Sequence, residues 1–152
     1  MLALNWRDMR HPEAGGAEVH IHEILSHFAS WGHEATEIAS GFPGCAAEEM
    51  IDGVRVIRAG HWFDANLTLP LAARRHMRRK RYDVILEDIN KLPFFMPLYT
   101  RTPVVGVIPH LFGTTVFREA NPLIGAYVLL MEKFIPFVFR KNRFMVISPS
   151  TA

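Results

Sequence analysis

Short runs of β-branched and aliphatic residues alternate along this chain with longer segments whose apolar positions recur every three or four residues. That alternation leaves few architectures open. Strands are expected over residues 2–5, 35–39, 54–58, 83–87, 104–108 and 144–147. Several are continuous apolar runs, as parallel strands covered on both faces usually are. Between the first two, Ala17, Ile21, Ile24, Leu25 and Phe28 mark one face of a helix that ends at Gly32, with His20, Glu23 and His27 on the other side. A second helix enters through Pro70 with Asn66 or Thr68 as its cap, and a third, strongly apolar, starts at Asn121 and Pro122 and bends or ends at Pro136. Asp52 and Gly53 read as a tight turn into Val54. Stacked βαβ units of this kind predict an α/β fold, a doubly wound Rossmann-like parallel sheet in a single domain. With 152 residues, 49% of them hydrophobic, the chain is long enough for one such core.

Charge and cysteine usage narrow the class further. Seventeen Lys and Arg against fifteen Asp and Glu leave +2, so no global field argues for wrapping nucleic acid. A lone cysteine, Cys45, has no internal disulfide partner, and the opening residues lack the basic and apolar stretches of a secretory leader, so a reducing cytoplasm is expected. The longest apolar run, residues 123–139, is interrupted by Glu132, Lys133 and Pro136 and falls short of a bilayer span. Ser150 and Thr151 are good caps for a further helix, and the sequence stops there. The expectation is therefore that residues 1–152 are the first domain of a longer protein.

The most informative local motif is the turn from His11 to Glu18, which leads from the first strand straight into the first helix. Gly15 and Gly16 either admit a ligand close to the backbone, with the helix N-terminus offering N–H groups to a diphosphate, or simply make a tight turn with Glu18 complementing the helix dipole. The dinucleotide pattern G-x-G-x-x-G is absent, and Ser40 and Gly41 follow the second strand where an acidic residue would bind ribose, which disfavours a nicotinamide dehydrogenase.

Other candidates sit at strand ends. Glu87, Asp88, Asn90 and Lys91 stand at the end of the fourth strand and either bind ligand hydroxyls or form a solvated loop. Glu13 and Asp8, ahead of the glycines, either hold a hydroxyl or cover the first helical turn. His110 follows an apolar strand at its C-terminal end, the edge where open α/β sheets bind ligands. No metal site is expected, because His20 and His22 fall on different helix faces and His20 with His27 lacks a third ligand. The basic run Arg74, Arg75, Arg78, Arg79, Lys80 and Arg81 is either a solvated helix face or an anchor to an anionic membrane surface. RNA is disfavoured, since no aromatic platform accompanies these cations.

Taken together, the G-G-A-E turn at Gly15 to Glu18, Trp31-Gly32-His33-Glu34, Asp83 to Asp88, Pro109-His110-Leu111-Phe112-Gly113 and Ile147 to Thr151 resemble the family-four glycosyltransferases of GT-B architecture over nearly the whole chain. The resemblance implies an N-terminal, acceptor-side domain of a retaining, metal-independent enzyme that moves a hexosyl unit from a nucleotide-diphosphate sugar to a sugar or lipid-linked acceptor. It implies no cofactor beyond that co-substrate. The C-terminal donor domain, with its paired glutamates and cationic phosphate clamp, would lie outside these residues, so the chain alone is expected to be inactive. It further implies that Gly15 and Gly16 lie against the donor diphosphate. His110 would hydrogen-bond the transferring sugar or acceptor, with Glu13, Asp88 and Asn90 on the acceptor side. The alternative reading is a non-catalytic phosphate- or nucleotide-binding module of the same fold.

Overall fold

The computed structural model describes residues 1–90, 92–109 and 121–146. Among these, the strands are β1 Leu2–Leu4, β2 Ala35–Ala39, β3 Glu48–Ile51, β4 Val54–Arg58, β5 Ile85–Asp88, β6 Val104–Ile108 and β7 Arg143–Val146. The helices are α1 Gly16–Ser30, α2 Ala65–Arg79 and α3 Pro122–Val138, with a short 3-10 turn at Met96–Leu98. One sheet holds all seven strands in the order β3-β4-β2-β1-β5-β6-β7.

Side-chain alternation along the strands builds two core layers. Leu2, Leu4, Ile38, Ile85 and Ile108 point to one face, where Leu69 and Ala73 of α2 and Ile135 of α3 meet them with Phe139. Ala3, Val54, Val56, Leu86 and Val107 point to the other, against Ile21 and Leu25 of α1. Helices on both faces of a largely parallel sheet are what the doubly wound expectation requires.

The sheet departs from that expectation at one edge, where β3 runs antiparallel to β4. Asp52 and Gly53, at φ 48° and 79°, both take the left-handed backbone that a two-residue hairpin turn demands. β3 escapes an apolar-run search because it reads Glu-Glu-Met-Ile, with Glu48 paired to Arg55 across the hairpin at 2.6 Å.

Element boundaries also shift. β1 stops at Leu4, although the Asn5 N–H still reaches the Ile38 carbonyl at 3.1 Å. β5 starts two residues later than expected and takes in Asp88. β7 begins at Arg143, and Ile147, Ser150 and Thr151 lie outside the described residues. Neither Asn66 nor Thr68 caps α2. Asp64 precedes it, accepting the His61 N–H at 2.7 Å and the Thr68 hydroxyl at 3.1 Å, and the helix runs on through Pro70. A proline there removes one intrahelical bond, which burial of Leu69 and Pro70 offsets. Gly60, just ahead, has φ 64°, and a Cβ on it would meet the Thr68 Oγ1 at 2.3 Å, so no other residue fits that corner. α3 is capped as expected, the Asn121 side chain accepting the Leu123 N–H at 2.8 Å, and it ends two residues beyond Pro136.

Glu87 belongs to this fold rather than to a binding loop. Its side chain is fully buried and accepts the backbone N–H groups of Phe94, Phe95 and Met96 at 2.6, 2.9 and 2.9 Å. Neither an acceptor contact nor a solvated loop describes it. It fastens the segment that carries Phe94 and Phe95, the latter in left-handed backbone at φ 56°, over the core. Replacing Glu87 with alanine orphans those buried donors, and an expected loss of about 3 kcal/mol, a fall in melting temperature on the order of 10 °C, follows. Glu87→Gln, which keeps one acceptor oxygen, should lose less, and thermal denaturation of the two variants checks both.

Candidate functional site

The direction of the chain reverses at β1. From this strand it proceeds outward through β2 to β4, then returns by α2 to β5 on β1's other side, and continues through β6 to β7. A crevice therefore opens beyond the C-terminal ends of β1 and β5, where open α/β sheets bind ligands. The start of α1 enters this crevice from β1, and Asp88 and Asn90 reach it from β5.

The loop between β1 and α1 is held rigidly. Asp8, fully buried, receives Nε and Nη2 of Arg58 at 2.7 and 3.0 Å, and its Oδ1 also accepts the Arg10 N–H at 2.8 Å. Arg58 is bound in addition to Glu49 at 3.0 Å, and these carboxylates hold its guanidinium charged. Asp8 is thus occupied within the protein, which removes it as a hydroxyl-binding candidate. Glu13 is exposed and forms an ion pair with Arg7, whose Nη1 also donates to the Glu13 carbonyl at 2.9 Å.

Neither Gly15 nor Gly16 needs glycine for its backbone. Gly15 has φ −126°, Gly16 begins the helix, and neither is among the positive-φ glycines. The reading of the pair as a forced tight turn therefore loses its physical basis. A Cβ on Gly16 would find nothing within 4 Å, so the space beside it is open. The Gly15 N–H donates to Glu18 Oε2 at 2.8 Å, while the next N–H groups, of Gly16 and Ala17, meet no acceptor among the described residues.

Below the turn lies a buried polar layer. Asn5 Nδ2 donates to Glu37 Oε1 at 3.0 Å, leaving Asn5 Oδ1, Glu37 Oε2 and both oxygens of Asp88 buried without a partner among the described residues. Burial, then the negative charges of Asp8 and Asp88, push the Glu37 carboxyl up to about 8 against the pull of its Asn5 bond. Asp88 is likewise pushed up to about 8, by burial first and then by Glu18 and Glu87. Burial raises Glu87 to about 7 despite its three N–H donors. At neutral pH, Asp88 and Glu37 are therefore mainly carboxylic acids, able to donate a hydrogen bond as well as accept one.

The sequence reading placed Gly15, Gly16, Asp88 and Asn90 at one strand edge, and the structure keeps them there. His110 and Lys91 lie outside the described residues. Arg74, Arg75, Arg78 and Arg79 are exposed at the far end of α2, away from the crevice. His22 is buried with Nε2 3.0 Å from Asp52, while His27 is exposed. No cluster of three or more His, Cys, Asp or Glu suited to a metal occurs among the described residues. Sequence reasoning missed Asn5, Glu37 and Arg58. A charged residue in the middle of the apolar run Ala35–Ala39 was the available signal for Glu37.

Set against known families, residues 14–152 match the sequence model of Glycosyltransferase Family 4, a match that starts just before Gly15 and takes in α1 and β5 but not β1. No curated protein matches the chain.

The buried acids give stability a pH dependence of definite sign. Glu37, Asp88 and Glu87 all have folded-state pKa values above their unfolded ones, so the native state retains protons that the unfolded chain releases. Their stabilising contribution is complete below about pH 4 and is lost as pH rises to about 8, at about 1.4 kcal/mol per pH unit for each proton retained. Melting temperature is expected to fall between pH 5 and 8 on that basis, and Asp88→Asn and Glu37→Gln should each flatten the slope. A melting temperature that rises over the same interval contradicts the assignment.

Proposed function

The chain belongs to glycosyltransferase family 4, and we propose that it is the acceptor-side half of a retaining, metal-independent hexosyltransferase of GT-B architecture that uses a nucleotide-diphosphate sugar. On this reading a second Rossmann-like domain beyond Ala152 grips the nucleotide, and the crevice at the ends of β1 and β5 faces it. The observation that carries the proposal is the open space at Gly16 and the N–H groups of Gly16 and Ala17, which, like the buried Asp88 beside them, have no partner among the described residues.

Hexosyl transfer develops negative charge on the leaving diphosphate and positive charge on the anomeric carbon. Fixed dipoles suit the first, and the first turn of α1 supplies them without a metal. Gly15 and Gly16 are assigned to the diphosphate, Gly15 as the residue that starts the turn and Gly16 by the open space beside it and, with Ala17, through their N–H groups. Asp88, protonated at neutral pH, donates to or accepts from an acceptor hydroxyl. Asn90 and, from the rim, Glu13 complete the acceptor side. His110, just past β6, is assigned a hydrogen bond to the transferring sugar or the acceptor rather than nucleophilic attack. The acceptor is a sugar or a lipid-linked sugar.

Four outcomes test this. The 152-residue chain alone should release no nucleotide from UDP-, GDP- or ADP-sugars, and turnover by it would refute the two-domain scheme. In the full-length protein, His110→Ala should lower turnover at least about a hundredfold with an unchanged melting temperature, as for other positioned groups acting in the transition state. Chelation of divalent metal should leave the rate unaltered. A lower melting temperature with normal turnover would make His110 structural. Gly16→Val, whose side chain meets open space in the protein, should raise the donor KM at least about tenfold with little change in stability. Wild-type donor affinity in that variant would remove the diphosphate from this turn.

A further inference from the structure

α3 is apolar on two opposite sides. Gly125, Val128, Ile135 and the following Phe139 are buried against the sheet. Leu123, Tyr127, Leu130, Phe134 and Phe137, spaced alternately by four and three residues, form a second stripe half a turn away, and they are 81, 48, 49, 45 and 71% exposed. At the helical rise this stripe is about 21 Å long. An ordinary surface helix carries charged and polar residues there. No helix among the described residues is long and apolar enough to cross a membrane, so the stripe is not part of a span.

What surrounds the stripe identifies its partner. α2 packs in the same core layer as α3 and so lies on the same face of the sheet. Trp62 and Phe63, immediately before α2, and Leu67 and Leu71 on it are 61, 72, 71 and 53% exposed, which supplies the aromatic anchors missing from the arginine-rich stretch itself. Both helices run from the crevice edge of the sheet to its opposite edge, since each connects parallel strands. Their cationic ends therefore meet at one edge. Residues 65–81 and 122–146 hold ten of the chain's seventeen Lys and Arg and one of its fifteen Asp and Glu, whereas the remainder is net acidic. At the foot of α3, Arg101, Arg140, Lys141 and Arg143 line a cavity of about 520 Å³ that has no carboxylate in its walls. No carboxylate of the described residues pairs with these four or with Arg74, Arg75, Arg78 and Arg79. A second copy of this face would bring two such cationic surfaces together, and charge repulsion disfavours it.

We propose that the face covered by α2 and α3 docks onto an anionic phospholipid bilayer, with the outer stripe of α3 lying in the interface and the arginines and lysines at its foot taking the lipid phosphates. An apolar stripe with aromatic residues, bordered by cations and too short to span, is the form of an in-plane interfacial helix, and each nearby cation adds to attraction by an anionic surface. The crevice lies at the edge of the sheet opposite these cations and stays open. The inference does not depend on the transferase reading.

Co-sedimentation of the 152-residue chain with vesicles tests it, using phosphatidylcholine alone and phosphatidylcholine with about a third phosphatidylglycerol. The expected result is partitioning onto the anionic vesicles only, weakening as salt rises. Phe137→Asp, Leu130→Ser and the pair Arg140→Glu with Lys141→Glu should each lower it at least about tenfold, the scale of one buried aromatic side chain or a few cations. Circular dichroism melting should not change, because these positions are exposed. Equal partitioning onto both vesicles, or none, overturns the proposal. So does binding that survives Phe137→Asp and Leu130→Ser and is lost only with the α2 arginines, or a stable dimer by light scattering that Phe137→Asp dissociates.

Discussion

Everything at the crevice hangs from the buried pair of Asp8 and Arg58. The two residues are fifty positions apart, one in the loop after the central strand and one at the end of β4, and their fork-to-fork contact leaves both nearly inaccessible. A guanidinium buried to this degree is tolerable only with its donors filled, and Asp8, Glu49 and the Ala46 carbonyl fill them. Because Asp8 also accepts the Arg10 N–H, the loop has little freedom before it turns into α1. The position of the first helical turn, and of the N–H groups assigned to a diphosphate, is therefore inherited from an interaction with a strand two places away in the sheet.

A cluster of acids beneath an anion-binding turn looks contradictory until their protonation is considered. Glu37 and Asp88, held neutral by burial, add no full charge beneath the N-terminus of α1, whereas ionised carboxylates there would repel the ligand that the helix dipole attracts. Glu18 works differently. Its carboxylate satisfies the Gly15 N–H from the side, as an N3 glutamate does in a capping box, and leaves the next two N–H groups facing outward. Polar groups are thus divided between those that finish the protein and those left for a partner.

The sheet was legible in the sequence wherever burial on both faces produced an apolar run. Val104–Ile108 is such a segment, and its limits could be read directly. β3 was not legible because an edge strand, paired on one side only, tolerates Glu48 and Glu49, which look like loop residues. The start of α2 was misread because Pro70 signals a first turn, while the actual start depends on Asp64 bonding around the Gly60 corner. For the site, the glycine turn and the strand-end acids were visible as local patterns. Glu87 could not be distinguished from Asp88 beside it, since one carboxylate serves three N–H groups seven to nine residues later and the other serves none among the described residues. Only the path of the chain between them decides that.

The placing of β1 at the centre of the sheet has a temporal side. Of the seven strands this one is synthesised first, yet one of its edges is completed by β5, with Leu2 opposite Ile85. During translation at about 5–20 residues per second, that edge waits on the order of several seconds for its neighbour. Its other neighbour, β2, arrives far sooner, at Thr36 opposite Leu2. The N-terminal half can therefore nucleate around β1 and β2, while closure onto β5 is a long-range, entropically slow step. In the interval the nascent chain presents an unsatisfied strand edge made of Leu2, Ala3 and Leu4, which makes this the stretch that a ribosome-associated chaperone has most reason to shield.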